Sequence, residues 1–270
     1  MYEAYFGLKP RPFGDSPGGP SDVPLPSRDV VRRRLRYSLD QGRGPALLVG
    51  PSGTGKTLLA RALGADLGLR MVHLTFPVMP AADLVAFLAD ELGSPPVAGG
   101  GGTGWNGSIR RLKAGLAAAV ARGDRPLLIV DEAHLIEDPA TFEVLRLVLN
   151  FASEGPPDLA LLLVGGPEVM ANLTPSLADR LAARSFLGPL TLTESSSYLL
   201  GRLEVAGASR PLFDPPALVE LHRAAEGFPR RLNRLADLAL LIAYAEGREV
   251  AEESSVLAAA LDSPFDLLAA

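Results

Sequence analysis

The chain of 270 residues contains no cysteine, which excludes disulfide bonds, zinc sites built from thiolates and catalysis by a thiol. The absence of cysteine also fits a reducing compartment. Histidine is scarce as well, and the three histidines, His73, His134 and His222, do not have the spacing of a metal-binding pair. We therefore expect no metal centre based on histidine or cysteine.

A segment that would direct the chain into a membrane is also missing. The first residues, Met1 to Phe6, have neither the basic start nor the apolar middle of a signal peptide. The longest late apolar run, at 238–245, lies between Asp237 and Glu246 and is far shorter than the roughly 20 residues that span a bilayer. We therefore expect a soluble, cytoplasmic protein.

The sequence has no excess of positive charge, because its formal net charge is -5 and its pI is about 5.3. It is thus unlike a protein that binds nucleic acid over its whole surface. A local exception is a predicted helix that runs through Leu39 and contains Arg28, Arg32, Arg33, Arg34 and Arg36. We interpret these arginines as a solvated helix face, and the alternative is a patch for nucleic acid or an acidic partner.

What the sequence does contain is a complete phosphate-binding loop of the pattern G-x-x-x-x-G-K-T. An apolar run at 46–49 precedes it and predicts a buried strand, and a helical pattern follows it. In this setting the glycines let backbone N–H groups turn toward phosphates, and the helix N-terminus favours negative charge. Lys56 can reach the β- and γ-phosphates, and Thr57 can bind Mg²⁺. The predicted ATP-binding residues of the loop are Gly50, Pro51, Ser52, Gly53, Thr54, Gly55, Lys56 and Thr57.

An acidic pair, Asp131 and Glu132, follows a second buried apolar run at 127–130. Because the loop and the pair both follow strands of a predicted parallel sheet, we expect them to meet at its carboxyl edge. Asp131 suits a Mg²⁺ ligand beside Thr57. Glu132 suits the general base that orients water toward the γ-phosphate. These residues predict an ATP site with Mg²⁺ and catalysis by Glu132 and Lys56.

Apolar runs alternate with helical patterns between residues 45 and 190, which predicts a parallel sheet covered on both faces. Hydrophobic residues make up 47% of the chain, enough for a substantial core. Only helical patterns follow Thr193. The further predicted strands are 71–75, 159–164 and 186–190, and the predicted helices are 81–92, 109–121, 141–151, 194–206, 215–226, 229–246 and 250–262.

The predicted organisation has three parts: an N-terminal arm (1–44), a nucleotide-binding domain (45–190) and a helical lid domain (191–270). In the arm, Tyr5, Phe6 and Phe13 are expected to dock on the main domain. A glycine-rich insertion at 99–105 contains the single tryptophan. We interpret the insertion as a loose loop, with a partner-contacting loop as the alternative.

The chain resembles the AAA+ ATPases of the general secretion pathway protein A (ExeA) type, which have relatives among transposition ATPases. The resemblance covers almost the whole chain, and outside the phosphate loop its most specific segment is 227–233. The similar segments are Met1 to Leu8 with Pro12-Phe13, Asp131 to His134, Leu145 to Phe151, Leu163 to Glu168 and Gly227 to Asn233.

This resemblance implies an α/β P-loop NTPase (AAA+) fold, a three-layer parallel sheet with a C-terminal helical lid. It also implies a homo-oligomer that acts on a partner. Arg230 matches the sensor-2 arginine, which reaches from the lid to the γ-phosphate and serves both binding and catalysis. Arg180 matches the arginine finger that serves a neighbouring subunit, and Arg184 is the nearby competitor.

The sequence departs from the family pattern at several positions. Gly166 stands at the sensor-1 position, where relatives have a polar residue, and Phe76 aligns with an asparagine. Both departures concern the rate of hydrolysis rather than nucleotide binding. Aromatic residues expected near Asp22 and Pro24 are absent. Secretion-type relatives often continue into a membrane segment and a cell-wall-binding domain, and the lack of these weighs against a secretion role.

Three hypotheses of function follow. The first is an ATP hydrolase that drives assembly or remodelling of a partner complex of the secretion or export type. The second is a nucleotide-sensing scaffold with weak hydrolysis, favoured by Gly166 and opposed by Glu132. The third is a DNA-associated transposition-type ATPase, which has support only from the basic run between Arg32 and Arg36. The sequence does not name the partner or the oligomer size.

Overall fold

The computed structural model describes residues 1–14, 23–92, 104–152 and 155–262. Residues 99–103 of the predicted insertion lie outside these ranges, whereas Trp105 begins a helix. The strands are β1 (Ala46–Val49), β2 (Met71–Leu74), β3 (Leu127–Val130), β4 (Ala160–Gly165) and β5 (Ala183–Phe186). The helices are α1 (Tyr2–Tyr5), α2 (Pro26–Asp40), α3 (Lys56–Leu67), α4 (Ala81–Glu91), α5 (Trp105–Ala121), α6 (Pro139–Val148), α7 (Val169–Asn172), α8 (Pro175–Ala178), α9 (Leu192–Val205), α10 (Pro215–Ala225), α11 (Pro229–Ala245) and α12 (Glu253–Leu261), with a 3₁₀ helix at Ala133–Leu135.

The described residues form two compact units. The sheet unit comprises Val30–Ser52 and Lys56–Leu187. The helical unit comprises the described residues of Met1–Asp29, Gly53–Gly55 and Gly188–Ala270. None of the helices in the described ranges is both long enough and apolar enough to span a membrane.

The sheet unit contains five parallel strands in the order β2-β3-β4-β1-β5. Because successive side chains point to opposite faces, Leu47 and Val130 join one apolar cluster with α4, α5 and α6. Leu48 and Ile129 join a second cluster with α2 and α3. The predicted three-layer parallel sheet is therefore confirmed, and its two buried faces explain the continuous apolar runs in the sequence.

The register of the sheet brings the carboxyl ends of β1, β3 and β4 to one edge. Val49 at the end of β1 pairs with Gly165 at the end of β4, and the N–H of Gly50 donates to the Gly165 carbonyl at 3.2 Å. On the other side of β4, Val130 pairs with Leu163. The loop after β1, the acidic pair after β3 and the residues after β4 therefore leave the sheet side by side.

The fifth strand was predicted at 186–190, and this is wrong, because β5 is Ala183–Phe186. Its polar residues hide it in the sequence, since buried Ala183 and Ser185 alternate with exposed Arg184 and Phe186. Pro189, in the predicted segment, has no N–H to donate to a neighbouring strand.

The helical unit packs the N-terminal residues against α9 to α12. Tyr2, Phe6, Leu8 and Phe13 are buried in the same apolar cluster as those helices. The prediction that the arm docks on the strand-containing domain is therefore wrong, and Tyr5 remains 42% exposed. Within this unit Phe213 and Ala251 also form an isolated parallel bridge, which the helical pattern did not indicate.

Candidate functional site

The phosphate loop connects β1 to α3 and needs glycine at several positions. Gly53 and Gly55 have φ angles of 81° and 92°, in the region that favours glycine. A Cβ on Gly50 would lie 2.2 Å from the Leu187 carbonyl oxygen, so no larger residue fits there. The glycines of the motif are therefore required by the positive φ angles and by the close approach of Leu187 to the loop.

Lys56 is nearly buried at the start of α3. Its Nζ donates to the carbonyl oxygens of Gly50 at 2.8 Å and Pro51 at 3.0 Å. Burial lowers the pKa of Lys56, and the carboxylates of Glu132, Asp131 and Glu168 oppose that shift. The loop carbonyl oxygens therefore bind the ammonium group of Lys56, and three nearby carboxylates stabilise its positive charge.

Thr57 and Asp131 are in direct contact. The Thr57 hydroxyl donates to Oδ2 of Asp131 at 2.7 Å, and the N–H of Glu132 donates to Oδ1 at 3.0 Å. Among the described residues no group of three His, Asp or Glu residues could hold a metal. One hydroxyl and one carboxylate nevertheless fit Mg²⁺, which usually takes its remaining ligands from water and substrate phosphates.

Glu132 has a left-handed backbone, with φ 51° and ψ 35°. This conformation costs a residue with a side chain about 1–2 kcal/mol, and such strain concentrates at functional sites. The Glu132 side chain is 49% exposed, and its Oε2 lies 3.5 Å from Nδ1 of His134. The turn therefore presents the carboxylate to solvent directly after Asp131.

Sequence reasoning gave no role to His134 or Glu168, which also lie at this edge. The Gly166 N–H donates to Nδ1 of His134 at 3.2 Å. A Cβ on Gly166 would lie only 2.1 Å from Oε2 of Glu168. Phe76 is 67% exposed. His134 already stood inside the motif after β3, but the position of Glu168 depends on a turn that no local pattern indicates.

His73 is a second histidine that sequence reasoning left aside. Its Nε2 lies 3.4 Å from Oδ2 of Asp131, and Arg61 Nε donates to its Nδ1 at 3.3 Å. His73 lies on β2 opposite Ile129 of β3, two residues before Asp131. Knowledge that β2 neighbours β3 would have predicted the contact.

Arg230 stands in the first turn of α11, next to the loop glycine Gly53. Its N–H donates to the Gly53 carbonyl at 3.3 Å. Arg28 also contacts the loop, because its guanidinium donates to the carbonyl oxygens of Thr54 at 3.2 Å and Gly188 at 2.8 Å. Burial lowers the pKa of Arg28. The interpretation of Arg28 as part of a solvated face is therefore wrong.

Arg180 lies away from the loop, near the amino end of the sheet. A Cβ on Gly44, which precedes β1, would lie 2.6 Å from the Arg180 carbonyl oxygen. The Arg180 side chain is exposed and donates to Oδ1 of Asn150 at 2.8 Å and to the Arg146 carbonyl at 3.3 Å. Arg184 donates to the Ala178 carbonyl at 2.7 Å. The chain does not bring either arginine to its own phosphate loop.

A family model described as an AAA domain matches residues 39–173. The chain belongs to the AAA domain family. General secretion pathway protein A of Aeromonas hydrophila is 35% identical over 92% of this AAA protein. The RuvB subunit of the Holliday junction branch migration complex from Lactobacillus delbrueckii is 24% identical over 81% of it. The AAA protein spans only 46% and 59% of these two relatives. The expected family is therefore confirmed.

Several solved structures share the fold of this chain. Cdc6p from Pyrobaculum aerophilum matches with a TM-score of 0.69 at 22% identity, covering 89% of this chain and 67% of that one. ORC1 from Aeropyrum pernix, solved in complex with DNA, matches with a TM-score of 0.66 at 21% identity, covering 90% and 67%. The family and the fold together imply nucleotide binding in general.

Proposed function

We propose that this AAA protein binds ATP with Mg²⁺ and hydrolyses it. The supporting observation is the contact between Thr57 and Asp131, which joins the phosphate loop to the acidic end of β3. Lys56 lies in the same loop, with its ammonium directed at loop carbonyl oxygens. A hydroxyl, a carboxylate and an ammonium brought together in this way suit a triphosphate and its cation.

Each side chain has a distinct task in this proposal. Lys56 binds the β- and γ-phosphate oxygens, and the loop N–H groups bind phosphate oxygens as well. Thr57 and Asp131 would hold Mg²⁺, which supplies charge neutralisation on the phosphates when bound. Glu132 accepts a proton from the water that attacks the γ-phosphorus, and ADP leaves with the bridging oxygen.

Two arginines complete the proposed site. Arg230 would contact the γ-phosphate from the helical lid. The proposed domains are the arm (1–44), the nucleotide-binding domain (45–190) and the helical lid (191–270). Arg180 serves the nucleotide of a neighbouring copy, since its exposed side chain lies away from its own loop. This arrangement requires a head-to-tail homo-oligomer, either a ring or an open filament.

The process we propose is ATP-driven assembly or remodelling of an unidentified protein partner, of the secretion or export type, in the cytoplasm. Its support is the 35% identity to a protein named for general secretion. The chain spans less than half of that relative, so the partner of this chain has to be identified by experiment. A DNA-associated role is the alternative, supported by exposed Arg33 and Arg34 on α2.

A nucleotide-sensing scaffold with weak hydrolysis is the other candidate. It is favoured by Gly166, which has no side chain to orient water, and opposed by Glu132. Steady-state phosphate release distinguishes the two. We expect Glu132→Gln to lower turnover by about a hundredfold to ten-thousandfold, because an amide does not accept the proton from water.

Glu137→Gln is the matched control, since Glu137 is an exposed carboxylate five residues further on and the change alters net charge equally. Turnover that is as low in the parent protein as in Glu132→Gln would favour the scaffold. Turnover that is high and unchanged in Glu132→Gln would show that Glu132 is not the base.

A further inference from the structure

The residue after β4 has no side chain, but the volume in front of it is occupied. A Cβ on Gly166 would lie 2.1 Å from Oε2 of Glu168 and 3.7 Å from Cγ of His134. A distance of 2.1 Å is far below van der Waals contact, so the Glu168 carboxylate fills the space into which a side chain at 166 would project. The Glu168 carboxylate therefore stands where the AAA+ resemblance expects the polar side chain of residue 166.

Helix capping by its side chain does not account for this position of Glu168. The residue precedes α7, but its side chain makes no capping hydrogen bond with that described helix. Its charge acts on Lys56, because Glu168 is one of the three carboxylates that counter the effect of burial on the lysine pKa. The carboxylate thus lies within electrostatic reach of the phosphate loop.

We propose that Glu168 determines nucleotide specificity by opposing the γ-phosphate, so that ADP is favoured over ATP more than a neutral residue would allow. This inference rests on the proposed ATP site. The residue after β4 lies beside the loop after β1 and the acidic pair after β3, which places it on the phosphate side of the sheet edge. Two anionic groups in proximity repel each other, and ADP lacks the phosphate that would meet Glu168.

The test compares affinities for ADP and for the non-hydrolysable β,γ-imido analogue of ATP, both with Mg²⁺, by calorimetry. We expect Glu168→Gln to strengthen binding of the analogue about tenfold and to leave ADP binding nearly unchanged, since the change removes a negative charge that opposes the γ-phosphate, which ADP lacks. Glu168→Asp keeps the charge and should remain closer to the parent protein. Glu137→Gln, with the same loss of one charge, should change neither affinity.

Gly166→Ala provides an independent variant, because it displaces the carboxylate without removing it. The added Cβ would collide with the end of a flexible side chain, and Gly166 has no positive φ that would strain an alanine. We expect Gly166→Ala to strengthen binding of the analogue as well. The double variant with Glu168→Gln should gain less than the sum of the single gains, since both changes relieve the same repulsion.

The inference is overturned if the ratio of the two affinities is the same in Glu168→Gln as in Glu137→Gln. It is also overturned if the gains of Gly166→Ala and Glu168→Gln add fully. If the parent protein binds neither nucleotide and Lys56→Ala changes nothing, the proposed function itself fails and takes this inference with it. Binding by the parent protein with an unchanged ratio would overturn the inference alone.

Discussion

The Thr57 hydroxyl donates a hydrogen bond of 2.7 Å to Oδ2 of Asp131. These residues are 74 positions apart in the sequence, and each follows a different strand of the sheet. Their contact fixes the first turn of α3 against the carboxyl end of β3. It also brings together two oxygen atoms of the kind that Mg²⁺ prefers.

We expect Asp131→Asn to weaken ATP binding in the presence of Mg²⁺ and to have little effect in its absence. The amide keeps the shape of the side chain but provides a poorer ligand without negative charge. Titration of the protein with a fluorescent ATP analogue, with Mg²⁺ and with a chelator, measures both affinities. Asp83→Asn, an exposed change in the first turn of α4, is the control. Equal losses with and without Mg²⁺ would contradict a role of Asp131 in holding the cation.

We expect Lys56→Ala to abolish tight ATP binding, because it removes the ammonium that faces the β- and γ-phosphates. Calorimetry measures this directly. Lys113→Ala, at an exposed position of α5, removes the same charge elsewhere and should leave affinity unchanged. Unchanged affinity in Lys56→Ala would show that the loop does not bind the triphosphate as proposed.

We expect Arg180→Ala to lower turnover while ATP affinity stays nearly the same, because the arginine would act on a neighbouring copy. An arginine finger contributes about a thousandfold or more to turnover in P-loop enzymes. The parent protein should show specific activity that rises with its concentration. Arg184→Ala tests the competing arginine.

Mixing Arg180→Ala with Glu132→Gln gives the decisive measurement of that role. The Arg180→Ala copy keeps its own Glu132 and receives Arg180 from its neighbour, so part of the activity should return. Mixed oligomers that form but remain inactive would show that Arg180 does not act between copies. A monomer with ATP bound, and specific activity independent of concentration, would rule out the oligomer.

The start of α9 allows a prediction on stability. Glu194 accepts hydrogen bonds from the N–H groups of Ser27 at 2.9 Å and Thr191 at 3.2 Å, while its own N–H donates to the Thr191 hydroxyl. Burial by itself raises the pKa of Glu194, but the hydrogen bonds from Ser27 and Thr191 outweigh it and the pKa is lowered. We expect Glu194→Gln to lower the free energy of unfolding at pH 7 by about 1 kcal/mol, because hydrogen bonds to a charged carboxylate are stronger than hydrogen bonds to a neutral amide oxygen.

The pH dependence of this effect follows from the lowered pKa. The carboxylate contributes stability above its ordinary pKa of 4.5, and this contribution is lost as the pH falls through the lower pKa of the folded protein. Urea unfolding at several pH values should therefore show the parent protein and Glu194→Gln converging in acid. A constant difference down to pH values well below 4.5 would contradict this account.

The sequence was sufficient to predict the sheet and the loop because both depend on local patterns. Buried strands such as β3 are continuous apolar runs, and the residues from Gly50 to Thr57 form a motif of fixed spacing. The same patterns failed for β5, whose exposed Arg184 interrupts the apolar signal. Only alternate residues of β5 are buried, so β5 lacks the continuous apolar run of a strand that is covered on both faces.

Local sequence patterns could not predict several side-chain contacts of the candidate site. His73 meets Asp131 because β2 neighbours β3, and Glu168 turns back over Gly166 because of the backbone after β4. Neither contact corresponds to a characteristic spacing of residues in the sequence. Arg28 was assigned to solvent because it stands among other arginines, whereas its guanidinium is committed to the carbonyl oxygens of Thr54 and Gly188.

Asp237 on α11 has a consequence for the order of folding during synthesis. It accepts hydrogen bonds from Tyr2 and from Arg11, and Tyr2 and Asp237 are 235 positions apart. Tyr2 and Arg11 are therefore synthesised well before Asp237 and before helices α9 to α12, against which the N-terminal residues pack. The sheet unit, which ends at Leu187, is translated before those partners appear. We therefore expect the helical unit to close last, and nascent chains stalled before α11 to leave Tyr2 and Phe6 open to proteolysis.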